Sequence, residues 1–298
     1  MAANKYIVGI DIGGTKISAA LFKDDKILKS VKIKTPQKSR REFLNKLEVL
    51  ISEVILELAG KKEISGIGCG VAGVLDLRKG IVLNAPNIKS LNGFNIKNWL
   101  HKKFGCEVKI DNDARSFTRA EYLFGAGRGY KNIVGMTLGT GIGGGIIMNG
   151  KMVYGISGSA GEVGHMIMQF KIKNQNSKFF TQDFEDLAST KIFRYLGFSA
   201  SLQAYQLAKT GDKKALKDFK TLGRNLGIGL ANLINILDPE AIVIGGGLSG
   251  AYKFFLPVAK KTMAKFIFSP GSRKNIKISI GELGENAGVI GAAALFIK

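Results

Sequence analysis

The sequence predicts an α/β protein built from two related halves. Strand-like and helix-like patterns alternate along most of the 298 residues, a succession that is typical of α/β folds. A fifteen-residue pattern at residues 7–21 recurs at residues 133–147 with a constant offset of 126. The recurrence indicates a duplication, and the chain is long enough for two domains of ordinary size.

Each copy of the repeat is an apolar run that meets a glycine-rich corner and leaves as a second apolar run. The corners are Gly13-Gly14-Thr15-Lys16 and Gly139-Thr140-Gly141-Ile142-Gly143-Gly144-Gly145. This is the pattern of a β-hairpin, and glycines at its tip leave backbone N–H groups accessible to an anion such as phosphate. Walker and dinucleotide loops differ because a helix follows their glycines. We therefore predict a nucleotide clamp of two hairpins that hold a polyphosphate from both sides.

An ordinary hairpin turn is the simpler explanation of the first corner, because Asp and Gly are common turn residues. The second corner argues against it, since so many glycines weaken a strand unless a ligand requires them.

The first half is predicted to begin with three strands, followed by a helix with apolar residues on one face. Asn112-Asp113 suits the N-cap of the last helix of this half. In order, the predicted elements are strands Tyr6–Asp11, Lys16–Phe22 and Ile27–Thr35, a helix from Pro36 to about Leu58, a strand Ile64–Gly70, a helix containing Ile96, Trp99, Leu100 and Phe104, a strand Val108–Asp111 and a helix Ala114–Phe124.

The second half opens with the second hairpin and is richer in helix. Asp238-Pro239 ends its longest predicted helix, because proline cannot continue one. The predicted elements are the hairpin Asn132–Met148, helices Phe184–Tyr195, Leu202–Lys209 and Lys213–Leu237, a strand Ala241–Ile244, a helix Tyr252–Phe266, a strand Asn275–Ile280 and a helix Asn286–Phe296. We expect a smaller domain at residues 1–115, closed by the C-terminal helix at about 285–298, and a larger one at 116–284.

The composition disfavours nucleic-acid and membrane functions. The net charge is +21, but the 44 basic residues comprise 35 lysines and only nine arginines, and they are scattered along the chain, whereas base recognition favours arginine. No apolar run is long enough to span a membrane, and no signal-type segment opens the chain. We expect a cytoplasmic protein in which Cys69 and Cys106 are reduced core residues.

The order and spacing of the motifs are similar to those of the ROK family of sugar kinases and sugar-responsive repressors, over essentially the whole chain. The motifs that carry the resemblance are Asp11-Ile12-Gly13-Gly14-Thr15-Lys16, Asn112-Asp113-Ala114, Gly139–Gly145, Gly161-Glu162-Val163-Gly164-His165, and Asp238-Pro239-Glu240 leading into Gly245-Gly246-Gly247. The resemblance implies an actin-like ATPase fold of ribonuclease-H-like topology, with two α/β domains around a cleft.

The resemblance and the glycine corners together predict a site for ATP. Asp11 is expected to hold Mg²⁺ through water, because carboxylates are preferred Mg²⁺ ligands. Gly246 and Gly247 resemble the family's adenosine-side loop, although a glycine turn between any strand and helix has the same pattern. The remaining predicted nucleotide contacts are Gly13, Gly14, Thr15, Lys16, Gly139, Thr140, Gly141 and Gly143.

The resemblance also implies a sugar site and a catalytic base. Phosphoryl transfer to an alcohol is helped by a carboxylate that accepts the hydroxyl proton, and the family's base corresponds to Asp113; helix capping is the alternative role. The residues expected to contact the sugar are Asn87, Asn112, Asp113, Glu162, His165 and Glu185.

One departure from the family concerns its structural zinc. Many members place three cysteines after the histidine, whereas this chain has none beyond Cys106, and Asp183 stands where the last would fall. We therefore expect no zinc site, since tetrahedral zinc needs four such ligands. What orders residues 166–182 is left open.

These observations favour an ATP-dependent hexose kinase, most simply one that converts glucose to glucose 6-phosphate. Alternative acceptors are N-acetylglucosamine, N-acetylmannosamine and fructose. A non-catalytic sugar sensor is the second hypothesis. Repressor members carry a DNA-binding segment ahead of the first hairpin, whereas only Met1–Lys5 precede it here, so we expect an enzyme. Family members are commonly dimers, which leaves a homodimer open.

Overall fold

The computed structural model describes residues 6–24, 26–58, 64–172 and 179–297. They form two units. Unit 1 consists of Met1–Phe124, Met152–Ala160 and Glu285–Lys298, and unit 2 of Gly125–Lys151 and Gly161–Gly284. The predicted domain division at residue 115 stays a prediction; unit 1 differs from it by including the helix that ends at Phe124 and the segment Met152–Ala160.

The elements of both units follow in chain order. The strands are β1 (Tyr6–Ile12), β2 (Lys16–Lys23), β3 (Lys26–Lys34), β4 (Gly66–Val71), β5 (Val74–Asp76), β6 (Ile81–Asn84), β7 (Glu107–Asn112), β8 (Ile133–Leu138), β9 (Ile142–Met148), β10 (Lys151–Met152), β11 (Ile167–Ile172), β12 (Phe179–Asp183), β13 (Ala241–Gly245) and β14 (Lys277–Ile280). The α-helices are α1 (Arg40–Ile55), α2 (Ile96–Phe104), α3 (Asp113–Phe124), α4 (Phe184–Ala188), α5 (Lys191–Tyr195), α6 (Ser201–Lys209), α7 (Lys213–Leu237), α8 (Tyr252–Phe266), α9 (Pro270–Asn275) and α10 (Ala287–Ala293). Short 3-10 turns lie at Leu56–Leu58, Lys89–Leu91, Val163–His165, Gly247–Ala251, Gly284–Asn286 and Ala294–Phe296.

The two main sheets have equivalent topologies, as the repeat predicts. Their strand orders are β3-β2-β1-β4-β7 and β10-β9-β8-β13-β14. In the first sheet, β1 is antiparallel to β2 and parallel to β4; in the second, β8 is antiparallel to β9 and parallel to β13. Each glycine corner therefore turns one central strand into its antiparallel neighbour, which confirms both predicted hairpins.

The alternation of side chains along β1 decides which helix covers each face of the unit 1 sheet. Val8, Ile10 and Ile12 are fully buried and belong to the same core cluster as the apolar face of α1. Ile7, on the other face, clusters with Val289 of α10. Because strand side chains alternate with a period of two, Asp11 shares the α10 face with Ile7.

Unit 2 has its own core, in which α7 is the main helix. The spacing of its leucines and Phe219 places them on one face. Most of them are buried in one cluster with residues of β8, β13 and α8, and Leu216 and Leu237 pack partly buried against it. Cys69 and Cys106 are both buried and free, as expected. No helix in the described part of the chain has the length and apolarity needed to cross a bilayer.

Several element predictions are corrected by the structure. The predicted helix Phe184–Tyr195 is two helices, α4 and α5, because the backbone at Ser189 is extended and the Thr190 N–H donates to the Gly139 carbonyl. The hairpins β5–β6 and β11–β12 were not predicted, nor was α9. Helix α9 occupies the start of the predicted strand Asn275–Ile280, so that β14 begins at Lys277.

Candidate active site

The first glycine turn is held by hydrogen bonds that leave its tip exposed. The Gly13 N–H donates to the Lys16 carbonyl at 3.0 Å, and the Thr35 hydroxyl donates to the Gly13 carbonyl at 2.7 Å. Thr15 and Lys16 are exposed. The turn is thus fixed from the β3 side, while a hydroxyl and an ammonium group remain accessible for an anion.

Asp11 is the penultimate residue of β1, close to this turn, and lies in an unusual electrostatic environment. Burial, followed by the charge of Asp113, raises the pKa of Asp11 to about 7, with Lys16 partly opposing the shift. A Cβ on Gly288 of α10 would lie 2.4 Å from the Asp11 Oδ2 atom, so only glycine allows α10 to approach the carboxyl group. The structure therefore places two of the predicted functional carboxylates, Asp11 and Asp113, within electrostatic reach of each other.

Asn112 is the last residue of β7, and Asp113 is the first residue of helix α3. The Asn112 Oδ1 atom accepts hydrogen bonds from the N–H groups of Ala114 and Arg115 at 2.9 and 3.1 Å, and its Nδ2 atom donates to the Gly73 carbonyl at 3.2 Å. The predicted cap is confirmed for Asn112. Asp113 is half-buried, and its Oδ1 atom accepts from the Ala114 N–H at 2.9 Å. Capping and catalysis can coexist at Asp113.

Beneath this helix start lies a buried ionic network that the sequence reasoning missed. The Asp111 carboxylate is fully buried and pairs with Arg115, whose Nε atom lies 2.6 Å from Oδ1, and with Arg119. Arg115 also donates to the Gly158 carbonyl at 2.9 Å, and Arg119 to the Tyr154 hydroxyl at 2.9 Å. The sequence signal for this network was the spacing of Asp111 and Arg115, which lie four residues apart at a helix start. This network ties α3 to β7 and to the segment Met152–Ala160.

Asn87 lies against the first glycine turn. A Cβ on Gly14 would be 2.6 Å from the Asn87 Cβ atom, and the Gln37 amide donates to the carbonyl oxygens of Gly14 and Asn87 at 3.0 and 3.2 Å. The predicted sugar contact Asn87 and the predicted phosphate contact Gly14 are thus neighbours in unit 1.

The second glycine turn and the Gly245–Gly247 loop are neighbours in unit 2. The Gly139 N–H donates to the Gly141 carbonyl at 2.9 Å, and Thr140 is exposed at the tip. Gly143 pairs with Thr137 across the hairpin, and Gly245 pairs with the same Thr137 from β13. Gly246 and Gly247 follow directly and are exposed. The structure brings these predicted nucleotide contacts to the ends of adjacent parallel strands.

Glu185 lies on the second turn. Its Oε2 atom accepts from the Ile142 N–H at 2.8 Å, and its Oε1 atom accepts from the Lys191 ammonium at 2.6 Å. A Cβ on Gly141 would lie 2.2 Å from Oε2, so the glycine is required for the carboxylate to reach the backbone. The predicted sugar contact Glu185 therefore fixes the second glycine turn.

Glu162 precedes the 3-10 turn Val163–His165 and His165 ends it, and both are exposed. The His165 Nδ1 atom lies 3.0 Å from the Asp183 Oδ2 atom, while Asp183 Oδ1 accepts from the Asp186 N–H at 2.8 Å. Asp183, the residue at the position of the family's last cysteine, therefore caps α4 and pairs with His165. Within the described ranges no cluster of three or more His, Cys, Asp or Glu side chains is placed to hold a metal ion.

The antiparallel hairpin β11–β12 accounts for most of the segment 166–182. Its register runs from Ile167 opposite Asp183 to Ile172 opposite Phe179, whereas residues 173–178 lie outside the described part of the chain.

Comparison with known proteins decides the family. A model of the ROK family matches residues 7–298. The chain belongs to the ROK family. Among curated relatives, the chain is 30% identical over 309 residues to a glucokinase of Thermotoga maritima, covering 97% of this chain and 96% of the relative. It is 32% identical over 310 residues to an N-acetyl-D-glucosamine kinase of Pasteurella multocida, covering 97% and 99%.

Solved structures confirm the predicted fold of this ROK protein. A ROK family glucokinase from Streptomyces griseus, in complex with glucose and AMPPNP, superposes with a TM-score of 0.82 at 29% identity, covering 97% of this chain and 98% of that one. The fold is the actin-like ATPase fold of ROK sugar kinases.

Proposed function

We propose that this ROK sugar kinase transfers the terminal phosphoryl group of ATP to the primary hydroxyl of a hexose, with glucose as the first candidate. Support comes from relatives named glucokinase at 30% identity over nearly the whole chain, and from the similar fold of a glucokinase bound to glucose and AMPPNP. The observation that carries the proposal is the pair of carboxylates, Asp11 and Asp113, beside an open glycine turn.

The donor site we propose comprises both glycine turns and the Gly246–Gly247 loop. Backbone N–H groups at Gly13–Lys16 and at Gly139–Gly143 would bind phosphate oxygens, assisted by the Thr15 and Thr140 hydroxyls. Mg²⁺ fits the first turn, because two carboxylates that repel each other provide the hard oxygen ligands that this cation prefers. Bound near Asp11, it would neutralise charge on the phosphates during transfer.

The acceptor site we propose contains Asn87, Asn112, Glu162, His165 and Glu185, with Asp113 as the general base. A sugar hydroxyl donates and accepts hydrogen bonds, which carboxylate, amide and imidazole groups can satisfy. The Asp113 carboxylate would take the proton of the primary hydroxyl as the hydroxyl oxygen attacks the terminal phosphorus atom of ATP in line, and ADP would leave.

The test of the base is the substitution Asp113→Asn. General-base catalysis typically contributes 10²- to 10⁴-fold, so we expect sugar-dependent ADP release to fall by at least about 10²-fold while calorimetric sugar binding persists. Asp24→Asn is the matched control, since Asp24 lies in the exposed β2–β3 turn and should leave turnover unchanged. Undiminished turnover in Asp113→Asn would remove the assignment of the base.

The acceptor is tested with a panel of glucose, fructose, mannose, N-acetylglucosamine and N-acetylmannosamine, with and without Mg²⁺. An N-acetylhexosamine is the second candidate, because the Pasteurella multocida relative, named an N-acetyl-D-glucosamine kinase, is 32% identical over as much of the chain as the Thermotoga maritima glucokinase. We expect the highest kcat/KM with glucose and no turnover without Mg²⁺. Sugar binding without ADP release across the whole panel would favour the sensor hypothesis instead.

A further inference from the structure

The two glycine turns differ in the side chain that follows them. At the repeat offset of 126, the position equivalent to Lys16 is Ile142. Lys16 presents an ammonium group beside the first turn, with its side chain 46% exposed, whereas the second turn has an apolar, buried residue at that position. In the duplicated sequence, the second turn therefore lacks the cation of the first.

A lysine from elsewhere in unit 2 reaches this position. The Glu185 carboxylate binds the Ile142 N–H through one oxygen and the Lys191 ammonium through the other, at 2.8 and 2.6 Å. The residue before Lys191 donates its N–H to the Gly139 carbonyl at 2.9 Å. Lys191 is thus held near both ends of the turn, at Gly139 through the backbone of the preceding residue and at Ile142 through the Glu185 carboxylate. Its side chain remains 38% exposed.

The lysines beside the two turns have the same kind of partner. Each is paired with a glutamate. Lys16 lies 3.7 Å from the Glu285 Oε2 atom, which also pairs with Lys32. Lys191 pairs with Glu185 and lies 3.6 Å from the Asp186 carboxylate. Burial disfavours the charged form of Lys191, but the hydrogen bond and charge of Glu185, together with Asp186 and Asp183, outweigh it and raise the pKa of Lys191. The side chain is therefore a cation at neutral pH.

We propose that Lys191 is a donor-binding residue, which supplies to the second glycine turn the phosphate-binding cation that Lys16 supplies to the first. Glu185 holds its ammonium beside the turn until the phosphates of the nucleotide bind. A partly exposed ammonium is suited to this role, because it can exchange one anionic partner for another without being buried first. The inference rests on the proposed function, since it assigns a residue of the same donor site.

The experiment compares the binding of two ligands to the full chain by calorimetry, AMPPNP with Mg²⁺ and adenosine. Lys191→Gln is expected to weaken AMPPNP at least tenfold and to leave adenosine unchanged, because only AMPPNP carries phosphates. Lys191→Arg should retain most of the affinity. Lys214→Gln is the matched control, since Lys214, like Lys191, is paired with a carboxylate: its ammonium lies 2.9 Å from the Asp218 carboxylate. This variant should bind both ligands like the wild type.

Two results with Lys191→Gln would overturn the inference. AMPPNP affinity within twofold of the wild type in Lys191→Gln would show that the ammonium does not contact phosphate. Equal weakening of AMPPNP and adenosine would show that Lys191 only supports the local structure. If Lys191→Gln weakens AMPPNP binding as expected but the wild type releases no ADP with any sugar, the proposed function is overturned and the inference is upheld. A wild type that does not bind AMPPNP would overturn both.

Discussion

Asp11 shows how a single residue can conflict with the stability of its own fold. Its carboxyl group is buried under α10 at Gly288 and lies near the charge of Asp113, which together raise its pKa to about 7, so the protonated form is favoured up to about pH 7. A carboxyl group that is difficult to ionise is typical of functional sites. A bound divalent cation would stabilise the ionised form.

The first prediction concerns the pH dependence of stability without Mg²⁺. The pKa of Asp11 is about 7 in the folded protein, against 3.8 for a free carboxyl group. Between pH 3.8 and pH 7 the folded state therefore keeps a proton on Asp11 that the unfolded state has lost. The contribution of Asp11 to stability is therefore greatest below about pH 4 and is lost as the pH rises through 7. At about 1.4 kcal/mol for each pKa unit, the wild type should lose about 4 kcal/mol relative to Asp11→Asn.

Urea unfolding of the wild type and Asp11→Asn between pH 4 and pH 8 measures this difference. The advantage of Asp11→Asn should grow with pH. Parallel stability curves for the two proteins would show that Asp11 is not perturbed.

At the scale of elements, helix α3 is held by charges rather than by its apolar face alone. Asp111 is the penultimate residue of β7 and pairs with Arg115 and Arg119 from the first two turns of α3. Tyr154 joins them, and burial, together with the Asp111 charge, raises the pKa of Tyr154. Because the same helix start carries Asn112 and Asp113, this network fixes the position of the proposed base.

The second prediction tests the network by removing its carboxylate. Asp111→Ala leaves two arginines, one of them fully buried, without their anion, and breaking a buried ion pair typically costs about 3–5 kcal/mol. Tyr154→Phe removes only a hydroxyl and should cost about 1 kcal/mol. Urea unfolding checks both values. A cost below about 1 kcal/mol for Asp111→Ala would mean that the apolar contacts of α3 suffice.

At the scale of the whole molecule, the C-terminal segment returns to the unit that the N-terminal strands begin. Helix α10 packs on β1 and on α3, where a Cβ on Gly291 would lie 1.7 Å from the Ser116 carbonyl oxygen. Helix α10 therefore covers one face of a sheet whose strands β1 to β4 lie more than two hundred residues earlier in the chain.

The third prediction is that removing residues 285–298 unfolds unit 1. Without α10, the cluster of Ile7, Ala20 and Phe22 is exposed to water, and the sheet loses one of its two layers. Trp99, the single tryptophan, lies in α2 of unit 1, so its fluorescence should shift to the red. Removing only Ile297 and Lys298 is the control and should leave the emission unchanged. Native-like Trp99 emission in the longer truncation would contradict the prediction.

The sequence by itself determined the two glycine-cornered hairpins, the repeat and most helices, because these depend on local periodicity and on glycines at strand ends. The long helix Lys213–Leu237 is predicted without error, since its leucines recur at helical spacing over 25 residues. The cap at Asn112 follows from residue type and position alone. The family follows from motif order, which the family match confirms.

Only the tertiary structure decided which side chains meet. The break between α4 and α5 depends on the Gly139 carbonyl, a partner about fifty residues away, and no local pattern reports it. The bond of Glu185 to the Ile142 N–H, the raised pKa of Asp11 and the bond of Arg115 to the Gly158 carbonyl have the same origin. Each arises because the packing of strands, helices and loops brings residues together that are distant in sequence, so that burial and charge at a site are set by neighbours in space.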